Sequence, residues 1–206
     1  MIQILSIDWD YYIDITNEKR NSWFPYIPDD LLAEEDRENL WAPCYDKFGI
    51  SRVGILEEDF EKTKHLIRSC KKNSRLIKTV NDSHRYLYDL VYKILNDNIN
   101  VHETILIYNI DHHHDMYSYR IPNEKVNCSN WAGVLREELG DILEYRWIKR
   151  DDSEEYSLAG KVECAYGTFN DIKSISFDSI YLCKSGAWSP PHLDCRYKEL
   201  VDVLLE

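Results

Sequence analysis

The sequence has no pair of cysteines with the C-x-x-C spacing that zinc-binding motifs use. Zinc-finger architectures are therefore excluded. Because nothing in the chain suggests secretion, the thiols are expected to be reduced and mostly buried, as in a cytoplasmic protein. The six cysteines are Cys44, Cys70, Cys128, Cys164, Cys183 and Cys195.

Long hydrophobic runs and an excess of basic residues are also missing. No stretch of about 18 consecutive apolar residues occurs, so no membrane span is expected. The N-terminus has no basic region and its apolar run is interrupted at Asp8, which argues against a secretory signal. The formal net charge of −12 disfavours nucleic acid as a partner, because binding to phosphates needs a basic surface. A negative surface instead favours a cationic partner.

The length of 206 residues suits one domain, and strands alternate with helices along it. This alternation predicts an α/β fold with a three-layer parallel sheet flanked by helices. An aromatic-rich connection at 11–55, with one helical fragment at 29–40, is expected to be irregular and to form a functional loop or lid. Strands are predicted at 1–8, 104–110, 143–148 and 179–183, and helices at 57–72, 82–96, 129–139 and from 193 or 194 to 205.

The stretch 109–115 is the most informative part of the chain. It follows a short apolar run at 104–108 that is β-branched and aromatic, which indicates a buried strand. Residues two apart in an extended segment share a side, so Asp111, His113 and Asp115 are expected to face one centre. Such crowded ionisable groups repel or desolvate one another unless a cation lies among them. The pattern predicts part of a metal site.

Two further places in the sequence supply similar side chains. The N-terminal apolar run ends in Asp8 and Asp10, which share a face by the same alternation. His84 opens a segment with helical periodicity. The combined set of four carboxylates and two imidazoles suits two metal ions about 3.5–4 Å apart better than one ion. Because the set is rich in oxygen and free of thiolate, it favours a hard ion such as manganese over magnesium or iron.

These motifs resemble those of the arginase-like metallohydrolases, which share the ureohydrolase and deacetylase fold. That family carries a D-x-H-x-D motif after one strand, an S-x-D-x-D motif after another, and a histidine of the D-H-S type at a helix start. The corresponding stretches of this chain are Asp111-His112-His113-His114-Asp115, Ser6-Ile7-Asp8-Trp9-Asp10 and Asp82-Ser83-His84.

The order of the motifs points to one branch of that family. Ordinary arginases carry the S-x-D-x-D motif late in the chain, whereas here it comes first. This order resembles the peptide arginases of bacterial ribosomal-peptide biosynthesis, which also have a C-x-N-W segment after the central motif and a W-x-P-P element near the C-terminus. The matching stretches are Cys128-Ser129-Asn130-Trp131 and Trp188-Ser189-Pro190-Pro191.

The resemblance implies a reaction and a set of ligands. The reaction would be hydrolysis of arginine side chains in a ribosomally made precursor peptide, leaving ornithine and releasing urea. Two manganese ions would bridge a hydroxide and lower its pKa, so that it attacks the guanidinium carbon at neutral pH. Asp115 could relay the proton. The six metal ligands would be Asp8, Asp10, His84, Asp111, His113 and Asp115.

Three histidines are candidates for the residue that donates a proton to the leaving amine. His112 and His114 alternate to the face opposite the ligands, where they are expected to be packed or hydrogen-bonded behind the metal site. Either of them could instead donate the proton. His192 is an alternative donor, because two prolines precede it and would hold it in a rigid loop.

Substrate contacts are also left open. Asn130 and Trp131 could touch the substrate, or they could form a helix start with a buried indole. Glu163 could pair with a guanidinium, or it could be a solvated strand residue. The hydrophobic loops could pack on a second subunit.

Three other functions fit part of the pattern. A deacetylase-like enzyme of the same fold would use one zinc ion, and the six candidate ligands argue against a single-metal site. A manganese phosphoesterase of the D-H-H class would share Asp111-His112-His113 but needs an upstream D-x-D-x-x-x-S element preceded by a histidine, which Asp8 and Asp10 lack. A non-catalytic peptide-recognition protein with a structural metal is the third alternative.

Overall fold

The computed structural model describes residues 1–25, 34–70, 75–97, 104–117, 125–157 and 160–206. Within these ranges six strands form one all-parallel sheet, and two short strands pair as a separate antiparallel hairpin. The strands are β1 (Ile2–Asp8), β2 (Ile77–Asn81), β3 (Ile105–Ile110), β4 (Leu143–Ile148), β5 (Tyr156–Ser157), β6 (Gly160–Lys161), β7 (Ala165–Tyr166) and β8 (Ser179–Cys183). The sheet order is β2-β8-β1-β3-β4-β7, and β5 pairs with β6.

Helices cover both faces of this sheet, which confirms the predicted three-layer α/β fold. They are α1 (Asn17–Trp23), α2 (Glu34–Phe48), α3 (Glu57–Cys70), α4 (Arg85–Asp97), α5 (Trp131–Leu139), α6 (Phe169–Ile172) and α7 (Asp194–Leu205). Helices α3 and α7 share one hydrophobic cluster with the sheet, and α4 and α5 share the other. In the described ranges no helix is both long and apolar enough to cross a membrane.

Strand β1 lies at the centre of the sheet, between β8 and β3, and this position accounts for its apolar sequence. Leu5 and Ile7 face the cluster formed with α3 and α7, whereas Ile2 and Ile4 face the cluster formed with α4 and α5. A strand buried on both faces needs a continuous apolar run rather than an alternating one. The same holds for β3, in which every residue is buried.

The predicted helix boundaries mostly agree with the structure, with two differences at helix starts. Helix α4 begins at Arg85 rather than at 82, and α5 begins at Trp131 rather than at 129, with Asn130 as its N-cap. The residue that caps the C-terminus of α5, Gly140, has a φ of 53°, a positive value that glycine adopts without strain. The predicted end of α3 at Lys72 lies outside the described residues.

The segment at 11–55 is more helical than the sequence analysis expected. Helix α1 was not predicted, and α2 continues past the expected end of the fragment to Phe48, with Pro43 inside it. Burial of Arg37 and Trp41 in the core stabilises α2 despite its weak sequence signal, because tertiary packing can override local propensity. Residues 29–33, the predicted start of this fragment, lie outside the described residues.

Strand β2 was also missed by the sequence analysis. Its sequence, Ile-Lys-Thr-Val-Asn, has no apolar run, and it is a half-buried edge strand. It matters for the site because its carboxyl end leads directly to His84, which precedes α4 rather than lying in its first turn.

Candidate metal centre

The six predicted ligands come together at the carboxyl edge of the parallel sheet. Asp8 ends β1, and Asp10 lies in the 3-10 turn that follows it. Asp111 directly follows β3, which pairs with β1, and His84 follows β2. The carboxyl ends of parallel strands meet at one edge of a sheet, and ligands bind there in open α/β folds. The fold therefore brings distant parts of the sequence to one place.

One group of side chains, here named subsite A, surrounds the His84 imidazole. The His84 Nδ1 atom lies 3.1 Å from Asp8 Oδ2, 3.2 Å from Asp111 Oδ2 and 3.1 Å from Asp115 Oδ2. All four residues are at most 4% exposed. Three carboxylate oxygens and one imidazole nitrogen thus converge on a small volume that is shielded from solvent.

A second group, subsite B, lies beside the first and shares Asp111 with it. The His113 Nδ1 atom lies 3.1 Å from Asp10 Oδ2 and 4.0 Å from Asp111 Oδ1. Asp111 therefore directs one carboxylate oxygen toward each subsite. A shared carboxylate is the arrangement expected of a centre for two metal ions, because it can bridge them.

The donor set fits a metal ion better than it fits a network of hydrogen bonds. Nδ1 of His84 makes no hydrogen bond of normal geometry in the described part of the chain, although three carboxylate oxygens surround it. Asp10 Oδ1 is likewise buried without a partner there. Buried polar atoms without partners are costly. A divalent cation among these oxygens would remove that cost, so the buried cluster could hold a metal ion.

Electrostatics of the carboxylates support the same interpretation. Burial, together with the charge of Asp10, raises the pKa of Asp8 to about 6. Burial and the charge of Asp115 raise the pKa of Asp111 to about 7. Both shifts show that the anionic forms are poorly stabilised by the protein alone. A bound cation would reverse them by favouring the charged carboxylates.

Asp10 and His113 form an ion pair in which each group stabilises the charged form of the other. Burial would raise the pKa of Asp10, but the charges of His113 and Arg20 outweigh it and hold that pKa well below its usual range. Burial would lower the pKa of His113, but Asp10 outweighs it and raises the pKa to about 9. Because metal ligation needs a neutral imidazole, a metal at subsite B must displace this proton.

Further side chains orient the ligands from behind, as metal sites require. Each bonds an atom of a ligand and thereby fixes its rotation. The pairs are Ser6 Oγ with His84 Nε2 at 2.8 Å, Ser185 Oγ to Asp8 Oδ2 at 2.6 Å, Asn109 Nδ2 to Asp111 Oδ2 at 3.0 Å, and the Trp131 indole N–H to Asp115 Oδ2.

Arg20 of α1 is a residue that the sequence analysis did not single out. Its guanidinium donates from Nη1 to Asp10 Oδ2 at 3.1 Å and from Nη2 to the Asp10 carbonyl at 2.9 Å. The two side chains are only 2% and 1% exposed. The unpredicted helix α1 therefore carries a positive charge to the back of subsite B and fixes the Asp10 carboxylate.

The chain reaches this geometry after β3 by a tight turn rather than by continuing as a strand. Asp111 Oδ1 accepts the backbone N–H of His113 at 2.8 Å. Asp115 has a φ of 52°, a left-handed conformation that aspartate tolerates better than most residues. The alternation argument selected side chains that lie close together in the structure, but the turn is what brings them together.

The other two histidines of the motif are placed differently from each other. His112 Nε2 lies 3.3 Å from Asn17 Oδ1, and this buried ring contributes to the wall of the adjoining cavity. Burial holds its pKa well below the usual value. His114 accepts the Met116 N–H at Nδ1 and lies outside that wall, and burial lowers its pKa to about 4. The geometry does not support His114 as a proton donor.

A cavity of about 340 Å³ opens onto the ligand cluster. Its wall combines ligands, polar side chains of α1 and residues from three loops. The lining residues are Asp8, Asp10, Asn17, Arg20, Asn21, Phe24, Pro25, His112, His113, Asp115, Tyr117, Cys128, Ser129, Glu154, Ser185 and Trp188. The segment at 11–55 thus supplies part of the wall through α1 and the two residues after it.

Two of the remaining predicted site residues lie away from this cavity. Glu163 is exposed and lines a separate depression beside β7. The His192 ring is held at both nitrogens, by Tyr45 Oη at 2.7 Å and by the Val53 carbonyl at 2.8 Å. The geometry supports neither Glu163 as a substrate contact nor His192 as a proton donor.

Asn130 and Trp131 also have structural positions. The Asn130 amide accepts the Asn127 N–H at 2.8 Å and donates to the Lys125 carbonyl at 3.3 Å. Trp131 is completely buried and reaches the site through its bond to Asp115 and by packing against the His84 ring, with 5.3 Å between the ring centroids. The other half of the C-x-N-W segment, Cys128 and Ser129, is the part that lines the cavity. Of the two readings given for Asn130 and Trp131, the geometry favours the buried one.

Comparison with known proteins gives no match: no family model fits the sequence, and no curated protein or solved structure is significantly similar to the chain.

Proposed function

We propose that the protein is a binuclear metal-dependent hydrolase that cleaves the guanidinium group of arginine residues in a peptide, releasing urea and leaving ornithine. The observation that carries the proposal is the position of Asp111 between two ligand groups. Its Oδ2 belongs to the group around His84, and its Oδ1 faces His113. The oxygen-rich donors favour two manganese ions as the natural occupants.

When bound, such a pair of ions supplies Lewis acidity and lowers the pKa of water toward neutrality. The remaining work belongs to the side chains. Asp115 lines the cavity, and its Oδ2 is fixed by the Trp131 indole. Its Oδ1 makes no hydrogen bond with any described residue. We assign to this oxygen the acceptance of a proton from the attacking water and its delivery to the leaving amine.

Glu154 is the residue best placed to hold the substrate guanidinium, a role the sequence analysis considered for Glu163. It lines the cavity, and its carboxylate has no hydrogen bond or ion pair in the described ranges. A carboxylate can hold a guanidinium through two parallel hydrogen bonds. Together with the acidic ligands, Glu154 gives the cavity a negative character that suits a cationic side chain.

The cavity wall favours an arginine within a peptide over the free amino acid. Free arginine carries an α-carboxylate, which needs a cationic or other strong donor nearby. Among the described lining residues Arg20 is the one arginine or lysine, and it is buried against Asp10, while His113 is a predicted metal ligand. The wall also includes Phe24, Pro25 and Trp188, apolar surfaces on which a peptide backbone can lie.

The proposal is tested by incubating the manganese-loaded protein with an arginine-containing peptide, the matching lysine peptide and free arginine, and measuring urea. Urea from the arginine peptide, with ornithine found by mass spectrometry, supports the proposal. Urea from free arginine at a similar rate would indicate an ordinary ureohydrolase. No urea, but release of acetate from acetyl-lysine peptides or cleavage of phosphodiesters to phosphomonoesters, would replace the proposal with one of the alternatives.

A further inference from the structure

Cys183 is a buried residue that the proposed reaction does not use. It is the last residue of β8, and its register partner in the parallel sheet is Asp8 of β1. Both therefore lie at the carboxyl edge where the metal centre forms. The thiol is fully buried, and its Sγ atom lies 3.3 Å from the Oγ of Ser185, which itself bonds Asp8.

The thiol is part of a second set of potential ligands. Cys183, Asp8 and His84 each present one ligand atom, and these three atoms lie within 4.8 Å of one another. All three residues are buried. Nδ1 of His84, a member of this set, also lacks a hydrogen bond of normal geometry in the described part of the chain. The set therefore includes a buried nitrogen that is available to a metal ion.

We propose that Asp8, His84 and Cys183 form an alternative binding site for a softer divalent ion, zinc above all. This inference rests on the proposed function. It adds that Cys183 lets the centre bind zinc as well as manganese. Zinc prefers four ligands drawn from sulfur, nitrogen and oxygen, and three protein ligands leave one position open. Manganese prefers the oxygen-rich set that includes Asp111 and Asp115. The thiol releases its proton to solvent as it coordinates, and no oxidation or reduction occurs.

The two sets cannot be filled at once because both need His84 Nδ1, whose single lone pair binds one ion, while Nε2 is bonded to Ser6. Asp8 and His84 belong to both subsite A and the thiolate set. An ion drawn toward Cys183 uses Asp8 and His84 without Asp111, the residue that links subsite A to subsite B. Zinc is therefore expected to exclude manganese from subsite A and to inhibit the enzyme.

Cobalt(II) is the probe for this site, because a thiolate bound to cobalt gives a charge-transfer absorption in the near ultraviolet that oxygen and nitrogen ligands do not. Cobalt added to the metal-free, full-length protein is expected to produce this band. The isosteric Cys183→Ser variant is expected to bind cobalt without the band. Cys128→Ser is the matched control, because Cys128 lines the cavity but is not in the ligand set; it should keep the band.

Competition between zinc and manganese gives a second readout. Cys183→Ser should lower the affinity for zinc by about tenfold or more, since loss of even an outer-shell partner has effects of this size. The affinity for manganese should be unchanged. Equal losses for both metals would overturn the proposal, because they would indicate a general structural defect.

The outcomes separate this inference from the proposed function. If the unmodified protein binds cobalt but shows no thiolate band, the Cys183 ligand is wrong and the binuclear centre stands. If the protein binds no divalent metal, both fail. A band that persists in Cys183→Ser would also overturn the proposal. Should that variant fold poorly by circular dichroism, Cys183→Ala provides the second test, and the spectrum of the unmodified protein decides the matter on its own.

Discussion

The two carboxylate oxygens of Asp111 face different histidines, Oδ2 at 3.2 Å from His84 Nδ1 and Oδ1 at 4.0 Å from His113 Nδ1. This one residue, supplied by the strand next to β1, joins two ligand groups into a single centre. Asn109 fixes its orientation through a hydrogen bond to Oδ2 at 3.0 Å. Substitution of the shared residue Asp111 is therefore expected to affect both subsites, whereas substitution of a residue that belongs to one subsite should affect that subsite alone.

Substitution of Asp111 should therefore remove more metal than substitution of His113. Asp111→Ala takes a ligand from both subsites and is expected to abolish stable binding of both ions and all activity. His113→Ala affects subsite B and is expected to leave about one ion per chain, a count that follows from the two-metal arrangement. Elemental analysis after gel filtration measures this. Unchanged metal content in Asp111→Ala would contradict the ligand assignment.

Two further substitutions test the remaining parts of the centre. Asp8→Ala should remove the ion of subsite A, because Asp8 Oδ2 is one of the oxygens around His84.

His112→Ala should retain metal, because His112 bonds Asn17 and not a ligand atom in the described structure. Loss of both ions from His112→Ala would show that the histidine takes part in binding.

Removal of Arg20 should destabilise the metal-free protein. Arg20→Met leaves the buried Asp10 carboxylate with His113 as its remaining cationic partner, and breaking a buried ion pair costs up to about 3–5 kcal/mol. Manganese should recover part of this loss, because the metal then balances the charge of Asp10. Urea denaturation with and without manganese measures both effects. Lys62→Met, which removes exposed ion pairs, is the control and should change stability by less than about 1 kcal/mol. An equally small effect of Arg20→Met would contradict the prediction.

Glu154→Gln should weaken the action on arginine peptides without changing metal content. The variant keeps the shape of the side chain but loses the charge that pairs with a guanidinium, so kcat/KM should fall about tenfold, the size of one hydrogen bond to a charged group. Glu163→Gln is the matched control, since Glu163 lies beside β7 and outside the cavity. If the two variants behave alike, Glu154 does not bind the substrate.

His192 should matter for stability rather than for catalysis. Its ring joins Tyr45 of α2 to the Val53 carbonyl. His192→Ala removes the acceptor of the Tyr45 hydroxyl proton and the donor to Val53, although the backbone N–H of residue 192 still bonds Tyr45 Oη, and should cost about 1–2 kcal/mol. The rate of urea release at saturating manganese should stay the same. A large loss of kcat with unchanged stability would restore His192 as a proton donor.

His114 should make the metal-free protein lose stability as the pH falls. Burial lowers its pKa to about 4, below the unperturbed value of 6.5, so below pH 6.5 the unfolded chain binds a proton that the folded chain does not. The stabilisation is thus complete above pH 6.5 and is lost as the pH falls toward 4. Denaturant midpoints of the unmodified protein and of His114→Gln, both with chelator, measure this. An equal pH dependence in the two proteins would contradict it.

The parts of the fold that the sequence predicts are those with strong periodic signals. Strands β1, β3 and β8 have apolar runs because the sheet buries them on both faces. Strand β4 instead alternates buried and half-buried residues, which is the period-2 signal of a strand. The edge strand β2 has no such run, because it is only half buried. Helix α1 was missed for a similar reason, since its one buried residue is the charged Arg20.

In the site, too, the sequence predicts the residues that belong to a short motif and misses those that only the fold brings together. Its ligands stand at strand ends, where a short motif signals them, and all six predicted residues lie together in the structure. The cavity wall instead comes from loops that are distant in sequence, so Glu154 could not be told from Glu163 without the fold. The ligands predicted from the sequence include no thiolate because Cys183 belongs to no motif, and only strand pairing brings it next to Asp8.

The most direct test of the account is a titration of the metal-free protein with manganese, in which bound metal and urea release from an arginine peptide are measured together. The account predicts binding of two equivalents per chain, with activity appearing as the second equivalent binds. Full activity at one equivalent would contradict the shared role of Asp111. Absence of bound manganese would contradict the centre itself and leave the cluster of aspartates and histidines without the function proposed for it.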